Sequence, residues 1–255
     1  MKKLFLIVAG VCFFMISHSQ TKVYVIGTTH TEKDEINVER FENILGKIGP
    51  DVILVELDST MLRKEKGFNF ENEHLTGSME NLAMYNYQQK NRVVLRPFDI
   101  TNRNKFYRES GYFAKERGMF NDLHEMRKKH ELSEANERYF DLAWSILDFY
   151  AESEHRMFSD INSDVCQKFT ELKYTTYDIF LQICKDEPKL QKWVDFAQLQ
   201  RDFWIKRNQT MVDNITHFAE EFRGKTIAVV VGYEHLYFLV NQLKKNENVV
   251  LSDWR

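Results

Sequence analysis

Short apolar runs rich in β-branched residues alternate with longer amphipathic segments through the first hundred residues and return near the C-terminus. The segments 34–48 and 72–90 have helical spacing and separate the first three runs. This alternation is typical of βαβ units, so it predicts a mainly parallel sheet with helices on its faces. The predicted strands are residues 23–26, 52–57, 93–95, 226–231 and 249–251.

The strand pattern disappears between residues 102 and 222, where long, charged and aromatic-rich helical patterns replace it. Residues 139–150 are too apolar for a helix with a wide solvated face, which indicates a core helix or an interface. The sequence therefore predicts an α/β fold with a mainly parallel central sheet flanked by helices. A large helical insertion, at about 102–189, precedes the last two strands of a single domain that spans 21–255.

The N-terminus has the pattern of a signal peptide. Lys2 and Lys3 precede an apolar stretch, 4–16, and a short polar run, which predicts a signal at 1–20 with cleavage near Ser19. The apolar stretch is shorter than the roughly 20 residues that span a bilayer. We expect an exported protein, periplasmic or secreted, with no transmembrane segment in the mature chain. Membrane association through a retained signal is the alternative.

Charge and cysteine content narrow the classes of partner. The chain has 35 basic and 38 acidic side chains, a net charge of −3, and no basic tract, which argues against nucleic acid as a partner. Beyond the predicted signal the only cysteines are Cys166 and Cys184. An oxidising compartment allows them to form a disulfide, and buried free thiols are the alternative. The composition leaves oligomerisation open.

Two predicted strands end in the same Gly-x-x-His phrase, from Gly27 to His30 and from Gly232 to His235. A glycine lets the backbone turn sharply as it leaves a strand. The histidine then lies at the carboxyl edge of the sheet, where parallel sheets hold their ligands. The two imidazoles are candidates for binding one metal ion, and the alternative is a helix cap or a hydrogen bond within each loop.

Acidic residues follow two other strands. Glu56 lies in a strand that is expected to be buried, where a carboxylate is costly unless it is paired or bound to a cation. With His30 and His235 it forms a typical catalytic metal set with an open position for water, and Asp58 is a further candidate ligand. Asp99 is a candidate substrate-binding residue. The alternatives are a salt bridge for Glu56 and turn or capping roles for the two aspartates.

The last long helical segment places Arg207 within an apolar stripe. A guanidinium keeps its charge, so it requires a carboxylate, backbone carbonyls or a bound anion. Arg207 therefore either orients Glu56 and stabilises negative charge on a substrate, or forms a buried ion pair that fixes the helix to the sheet. Asn208, on the neighbouring face, is a candidate substrate-binding residue. The stripe consists of Trp204, Met211, Ile215, Phe218 and Phe222.

These motifs, in this order, resemble the TraB/GumN/Tiki group, part of a wider superfamily with erythromycin-esterase-like and ChaN-like members. The resemblance implies an α/β core with a helical insertion and, in active members, a metal-dependent hydrolase or protease-like site. Tiki-like members are associated with manganese or cobalt and cleave a secreted protein, whereas ChaN-like members bind haem. The matching residues are Gly27 and His30, Glu56-Leu57-Asp58, Arg207-Asn208 with Met211, and Gly232 and His235.

Residues and resemblance together predict an exported hydrolase that acts on a peptide, protein or ester. In this hypothesis His30, Glu56 and His235 hold one divalent cation, manganese, cobalt or zinc, that activates water. Arg207 positions a carboxylate or stabilises the oxyanion. The alternatives are a haem or iron-ligand binding protein of ChaN-like type and a catalytically silent interaction domain.

Overall fold

The computed structural model describes residues 20–58, 60, 62–63, 67–68, 77–152 and 157–255. The strands are β1 Thr21–Thr28, β2 Val52–Asp58, β3 Leu62–Arg63, β4 Gly67–Phe68, β5 Val94–Asp99, β6 Thr226–Gly232 and β7 Val249–Leu251. The α-helices are α1 Val38–Ile48, α2 Met79–Lys90, α3 Arg103–Ser110, α4 Tyr112–Lys128, α5 Glu134–Glu152, α6 Phe158–Ile161, α7 Asp164–Asp186, α8 Val194–Glu221 and α9 Leu236–Leu243. Two 3₁₀ helices, Pro188–Trp193 and Tyr233–His235, precede α8 and α9.

The central sheet has five strands in the order β5-β2-β6-β1-β7, and all of its pairs are parallel. This confirms the predicted α/β class. Strand β6 enters between β1 and β2, although about 170 residues separate it from β2 in the chain. In the β1–β6 register Thr28 is opposite Gly232, so the two Gly-x-x-His phrases leave the sheet side by side.

Successive apolar side chains along a strand point to opposite faces of the sheet, and each face is covered by a hydrophobic core. In β6, Ala228 and Val230 face the core that contains Phe41 of α1 and Met84 of α2. Residues of odd number in the same strand face the core of α8 and α9, where Met211 is fully buried. Strand β6 is thus covered on both sides, as expected for a central strand of a parallel sheet.

The helical insertion has a core of its own, which includes Met119, Phe140 and Phe180. Helix α8 belongs to two cores, because Phe196 near its start packs in the insertion and Met211 packs under the sheet. This long helix therefore carries side chains from the insertion to the edge of the sheet.

Two predicted boundaries differ from the structure for local reasons. Strand β5 continues through Pro97 to Asp99 rather than ending at residue 95. Proline is compatible with β5 because this strand lies at the edge of the sheet, where one side needs no ladder donor. Helix α1 begins at Val38 because the Asn37 side chain caps it by accepting a hydrogen bond from the Arg40 N–H at 2.9 Å.

Other predictions fall partly outside the described residues. The predicted start of the second helix at residue 72 lies there, and α2 is capped by Ser78. Nearly all of the predicted signal lies there too. Cys166 and Cys184 are both buried, and they do not form a disulfide with each other. Among the described residues, no helix combines the length and apolar character needed to cross a membrane.

A methyl group at Gly27 is expected to destabilise the protein by about 1–3 kcal/mol, the usual cost of overpacking. A Cβ placed there would lie 2.5 Å from Leu236 Cδ1 and 3.0 Å from Tyr233 Cα, and the Tyr233 backbone cannot move aside cheaply. Gly46 in α1 is the matched control, because a Cβ there meets nothing within 4 Å. Urea unfolding should show a loss for Gly27→Ala and a gain of about 0.5–1 kcal/mol for Gly46→Ala. Equal effects would contradict this account of Gly27.

Candidate functional site

The carboxyl ends of β1, β2 and β6 bring His30, Glu56 and His235 around Gly232. A Cβ built on this glycine would lie 3.3 Å from Glu56 Oε2, 3.9 Å from His235 Cδ2 and 4.0 Å from His30 Nε2. The two imidazoles, about two hundred residues apart in the chain, thus flank one glycine beside the strand carboxylate. A side chain at this position would enter the space that the three groups share and would press on the Glu56 carboxylate.

The Glu56 carboxylate is held by the backbone and by two guanidinium groups. Oε2 accepts a hydrogen bond from the Gly232 N–H at 2.6 Å, and Oε1 accepts one from Arg207 Nη2. Arg103 Nη1 is 3.4 Å from Oε1. Burial opposes the negative charge, but Arg207, the Gly232 N–H and Arg103 outweigh it and lower the pKa of Glu56. Glu56 is therefore ionised at neutral pH.

Asp99 holds the two arginines in place. Its Oδ1 accepts from Arg207 Nε at 3.0 Å, and its Oδ2 accepts from Arg207 Nη2 at 2.9 Å and from Arg103 Nη1 at 2.5 Å. Asp99 is 2% exposed and Arg207 is 7% exposed. Arg207 thus forms a buried ion pair that joins α8 to β2 and β5, and the same guanidinium orients Glu56. Asp99, expected at a substrate, is instead enclosed by its partners.

His235 is buried and its hydrogen bonds define its tautomer. Asn208 Nδ2 donates to the carbonyl oxygen of Trp204 at 2.9 Å, so Asn208 Oδ1 is left to accept from His235 Nδ1 at 2.7 Å. Burial, and then the charge of Arg207, lower the pKa of His235 well below its ordinary value. The neutral ring therefore has its proton on Nδ1 and a lone pair on Nε2, which is 3.7 Å from Glu56 Oε1.

His30 is held in the same way by Glu80 of α2. Its Nδ1 lies 2.8 Å from Glu80 Oε1, and this hydrogen bond raises the pKa of His30. An ionised carboxylate only accepts, so Nδ1 carries a proton and Nε2 faces Gly232. Unlike His235, the His30 side chain is 68% exposed. One imidazole is thus fixed in the interior, and the other lies at the surface of the site.

Two further predicted site residues have structural partners. Asp58 Oδ1 accepts from Thr60 N at 3.0 Å and from Thr60 Oγ1 at 2.9 Å, which closes the turn after β2. Asp58 thus matches the turn-residue alternative rather than joining the group around Gly232. Asn208 is fully buried and acts on His235 rather than facing a substrate.

Sequence reasoning missed Glu80, Arg103, Trp204 and Glu234. Trp204 was assigned only to an apolar stripe, yet its ring stacks on the His235 imidazole with centroids 4.5 Å apart. Glu80 and Arg103 belong to the first turns of α2 and α3, which follow strands β2 and β5. Both are charged residues at the start of a helix that faces the carboxyl edge of the sheet. That position is the feature by which the sequence could have identified them.

Glu234 anchors the insertion to the site. Its carboxylate accepts from Lys173 Nζ at 2.5 Å, from Tyr150 Oη at 3.1 Å and from Tyr174 Oη. Burial opposes its charge, but Lys173 outweighs it, so the pKa of Glu234 is lowered. Because Glu234 precedes His235 in the chain, this network fixes the backbone beside the buried imidazole.

A cavity of about 150 Å³ opens at this edge of the sheet. Its polar lining includes Thr28, His30, Glu56, Ser78, Glu80 and Arg103. Across the described ranges, no three His, Cys, Asp or Glu side chains are grouped closely enough to hold a metal ion. The site as it stands is a set of fixed acceptors and guanidinium donors around a small polar cavity.

Comparisons of the whole chain with family models, with curated proteins and with solved structures found no match. The resemblance to the TraB/GumN/Tiki group therefore stays a prediction that rests on the motifs. Any assignment of activity depends on the residues around Gly232.

Proposed function

We propose that this chain is a hydrolase of peptide or ester bonds, in which His30, Glu56 and His235 act on a water molecule beside Gly232. One observation carries the proposal. Each histidine has its Nδ1 on a fixed oxygen acceptor, Glu80 for His30 and Asn208 for His235, with Nε2 on the side of Gly232 and Glu56. Such locked rings are typical of catalytic bases and of metal ligands.

The two histidines have different tasks in this proposal. His30 is exposed and has a raised pKa, so its Nε2 can accept a proton from water and pass it to a leaving group. His235 is neutral, and its Nε2 lone pair accepts a hydrogen bond from the water molecule and orients it. Arg103 Nη2 has no hydrogen-bond partner within the described part of the chain, which leaves it available to stabilise an oxyanion.

The donor types also suit a divalent metal ion. Two imidazole Nε2 atoms and one carboxylate are a usual set for a catalytic zinc, and manganese or cobalt are further candidates. His30, Glu56 and His235 would hold the ion, which would lower the pKa of bound water. Because these groups are not close enough as they stand, binding would require them to approach one another.

Joint replacement of the two histidines tests the proposal. We expect the His30→Ala, His235→Ala double variant to lose turnover of a peptide or ester panel, screened with added manganese, cobalt or zinc. We also expect it to lose stoichiometric metal, measured by plasma emission on the purified protein. Both losses follow because the variant removes both Nε2 atoms from the site.

The matched control is His130→Ala, His217→Ala, which removes two exposed imidazoles, 76% and 71% accessible, that lie outside the site. This control should keep full turnover and metal content. Equal turnover in both double variants would refute the hydrolase, and metal retained after loss of His30 and His235 would refute the metal assignment.

Haem binding by a ChaN-like mode stays a prediction that no described feature favours. Titration with haemin separates it from hydrolysis, because a hydrolase of this design has no reason to shift the Soret band. Export likewise stays a proposal, and N-terminal sequencing of the mature protein checks it by locating cleavage near Ser19.

A further inference from the structure

One oxygen at the site has no partner. Glu80 Oε1 binds the His30 ring, but Glu80 Oε2 is buried and has no hydrogen-bond partner in the part of the chain that the structure describes. The Glu80 side chain is only 10% exposed. A buried acceptor without a partner costs about 1–3 kcal/mol, and more when it is charged. Such an oxygen calls for a ligand that donates hydrogen bonds.

Glu80 lies on the wall of the cavity beside Gly232. Ser78 and Asn81 line the same wall, and Thr28 and His30 line it from the β1 side. The Ser78 hydroxyl oxygen caps α2 by accepting from the Asn81 N–H at 3.3 Å, which fixes this wall. At about 150 Å³ the cavity is smaller than the roughly 300–1,000 Å³ of sites for whole ligands, so it suits one small polar group of a larger substrate.

The charges of the site leave room for a cation. Three carboxylates, on Glu56, Asp99 and Glu80, meet two guanidinium groups, on Arg103 and Arg207. The guanidiniums bind Glu56 and Asp99, and they leave Glu80 with the His30 ring as its neighbour. Among the described residues, the carboxylate with the free oxygen is thus the one that no guanidinium binds.

A primary ammonium group suits the side of the cavity that Glu80 lines better than a metal ion does. An ammonium offers three N–H donors and needs acceptors at ordinary hydrogen-bond distances, without a fixed coordination geometry. Glu80, Ser78 and Thr28, whose side chains carry acceptor oxygens, all line the cavity. A metal ion would need three close ligands, which the described residues do not provide.

We propose that Glu80 Oε2 binds the free amino group of the substrate. The inference rests on the proposed hydrolase and gives it a substrate class, namely peptides, amides or esters with a primary amine close to the bond that is cut. Glu80 and Glu56 line the same small cavity, so an ammonium on Glu80 places the neighbouring carbonyl near Glu56 and Gly232. An acylated amino group is uncharged and keeps only one N–H donor, so it satisfies this oxygen less well than an ammonium does.

Binding of a matched pair of probes tests this proposal on the full protein. L-alaninamide and N-acetyl-L-alaninamide differ in the free amine. Isothermal titration calorimetry should show at least tenfold tighter binding of L-alaninamide. Equal affinity of the two probes, or binding of neither at millimolar concentration, would overturn the proposal.

Glu80→Gln isolates the contribution of the free oxygen. The glutamine carbonyl can accept from His30 Nδ1 as Glu80 Oε1 does, and its NH₂ group then replaces Oε2 in the cavity. The variant keeps the His30 contact but presents donors to the ammonium, so the tenfold preference should vanish. Glu42→Gln is the control, because Glu42 also binds α2 through Asn86 and Lys90 but does not line the cavity. A preference that survives in Glu80→Gln would overturn the assignment.

A third variant separates this proposal from the hydrolase itself. His235→Ala should lose turnover and keep the preference for L-alaninamide, because His235 does not touch Glu80. If turnover depends on the histidines but the protein shows no preference for the free amine, the hydrolase proposal stands and the amine site is refuted. If the protein prefers the free amine but its turnover does not depend on the histidines, the amine site stands and the hydrolase proposal is refuted.

Discussion

Replacing Arg207 by methionine is expected to lower the free energy of unfolding by about 3–5 kcal/mol, the usual cost of leaving a buried charge unpaired. Arg207 binds Glu56 on β2 and Asp99 on β5, and all three side chains are at least 89% shielded from solvent. Methionine fills similar space but cannot donate hydrogen bonds. Urea unfolding followed by circular dichroism measures the loss.

The matched control lies two turns earlier on the same helix. Arg201 binds Asp178 and Asp202 at the surface, where a pair contributes about 1 kcal/mol or less. Arg201→Met should therefore cost far less than Arg207→Met. Adding Asp99→Asn to Arg207→Met should recover part of the loss, because it removes one of the stranded charges. Equal costs for the two arginines would show that the buried network contributes little to stability.

Stability is expected to fall by about 1.4 kcal/mol per pH unit below pH 6.5 because of His235. The folded protein holds this ring neutral, and burial lowers its pKa well below the ordinary value. The unfolded chain takes up a proton at the ordinary pKa, so acid favours unfolding until the folded ring titrates as well. Urea unfolding at a series of pH values between 7 and 5, with a chelator present, measures the slope.

His235→Asn serves as the comparison, because its amide N–H can replace Nδ1 as donor to Asn208 and cannot titrate. This variant should lose the slope attributed to His235. His30 acts with the opposite sign. Its raised pKa contributes stability below the ordinary value that is lost as pH rises through the folded pKa, but the ring is largely exposed, so the effect is small. An unchanged slope in His235→Asn would refute the assignment.

The strands were predictable because buried parallel strands are continuous apolar runs. Each of the five predicted runs overlaps one of the strands β1, β2, β5, β6 and β7, and the Gly-x-x-His phrases indicated which edge of the sheet to inspect. The sequence could not place β6 between β1 and β2, because strand order depends on packing across distant segments. It also could not show that Asn208, a candidate substrate-binding residue, contacts His235 instead.

The residue that accepts the hydrogen bond from His30 was not predictable either, because its position also depends on packing. Glu80 reaches His30 only because α2 begins at Met79, after residues whose pattern suggested an earlier start. One turn of difference would carry its carboxylate away from the β1 edge. Asp58 and Asp99 both lie at the end of a strand, so the sequence pattern alone does not distinguish them. In the structure Asp58 accepts from Thr60 in a turn, whereas Asp99 accepts from Arg207 in the buried network.

The central position of β6 also sets when the sheet can close during synthesis. The ribosome makes residues 226–232 after β1, β2 and β5, yet they form the middle of the sheet and lead into His235. A nascent chain that already has β1, β2 and most of its helices still has a gap where the sheet should be continuous. A chain that stops before residue 226 therefore has neither a continuous sheet nor the second Gly-x-x-His imidazole.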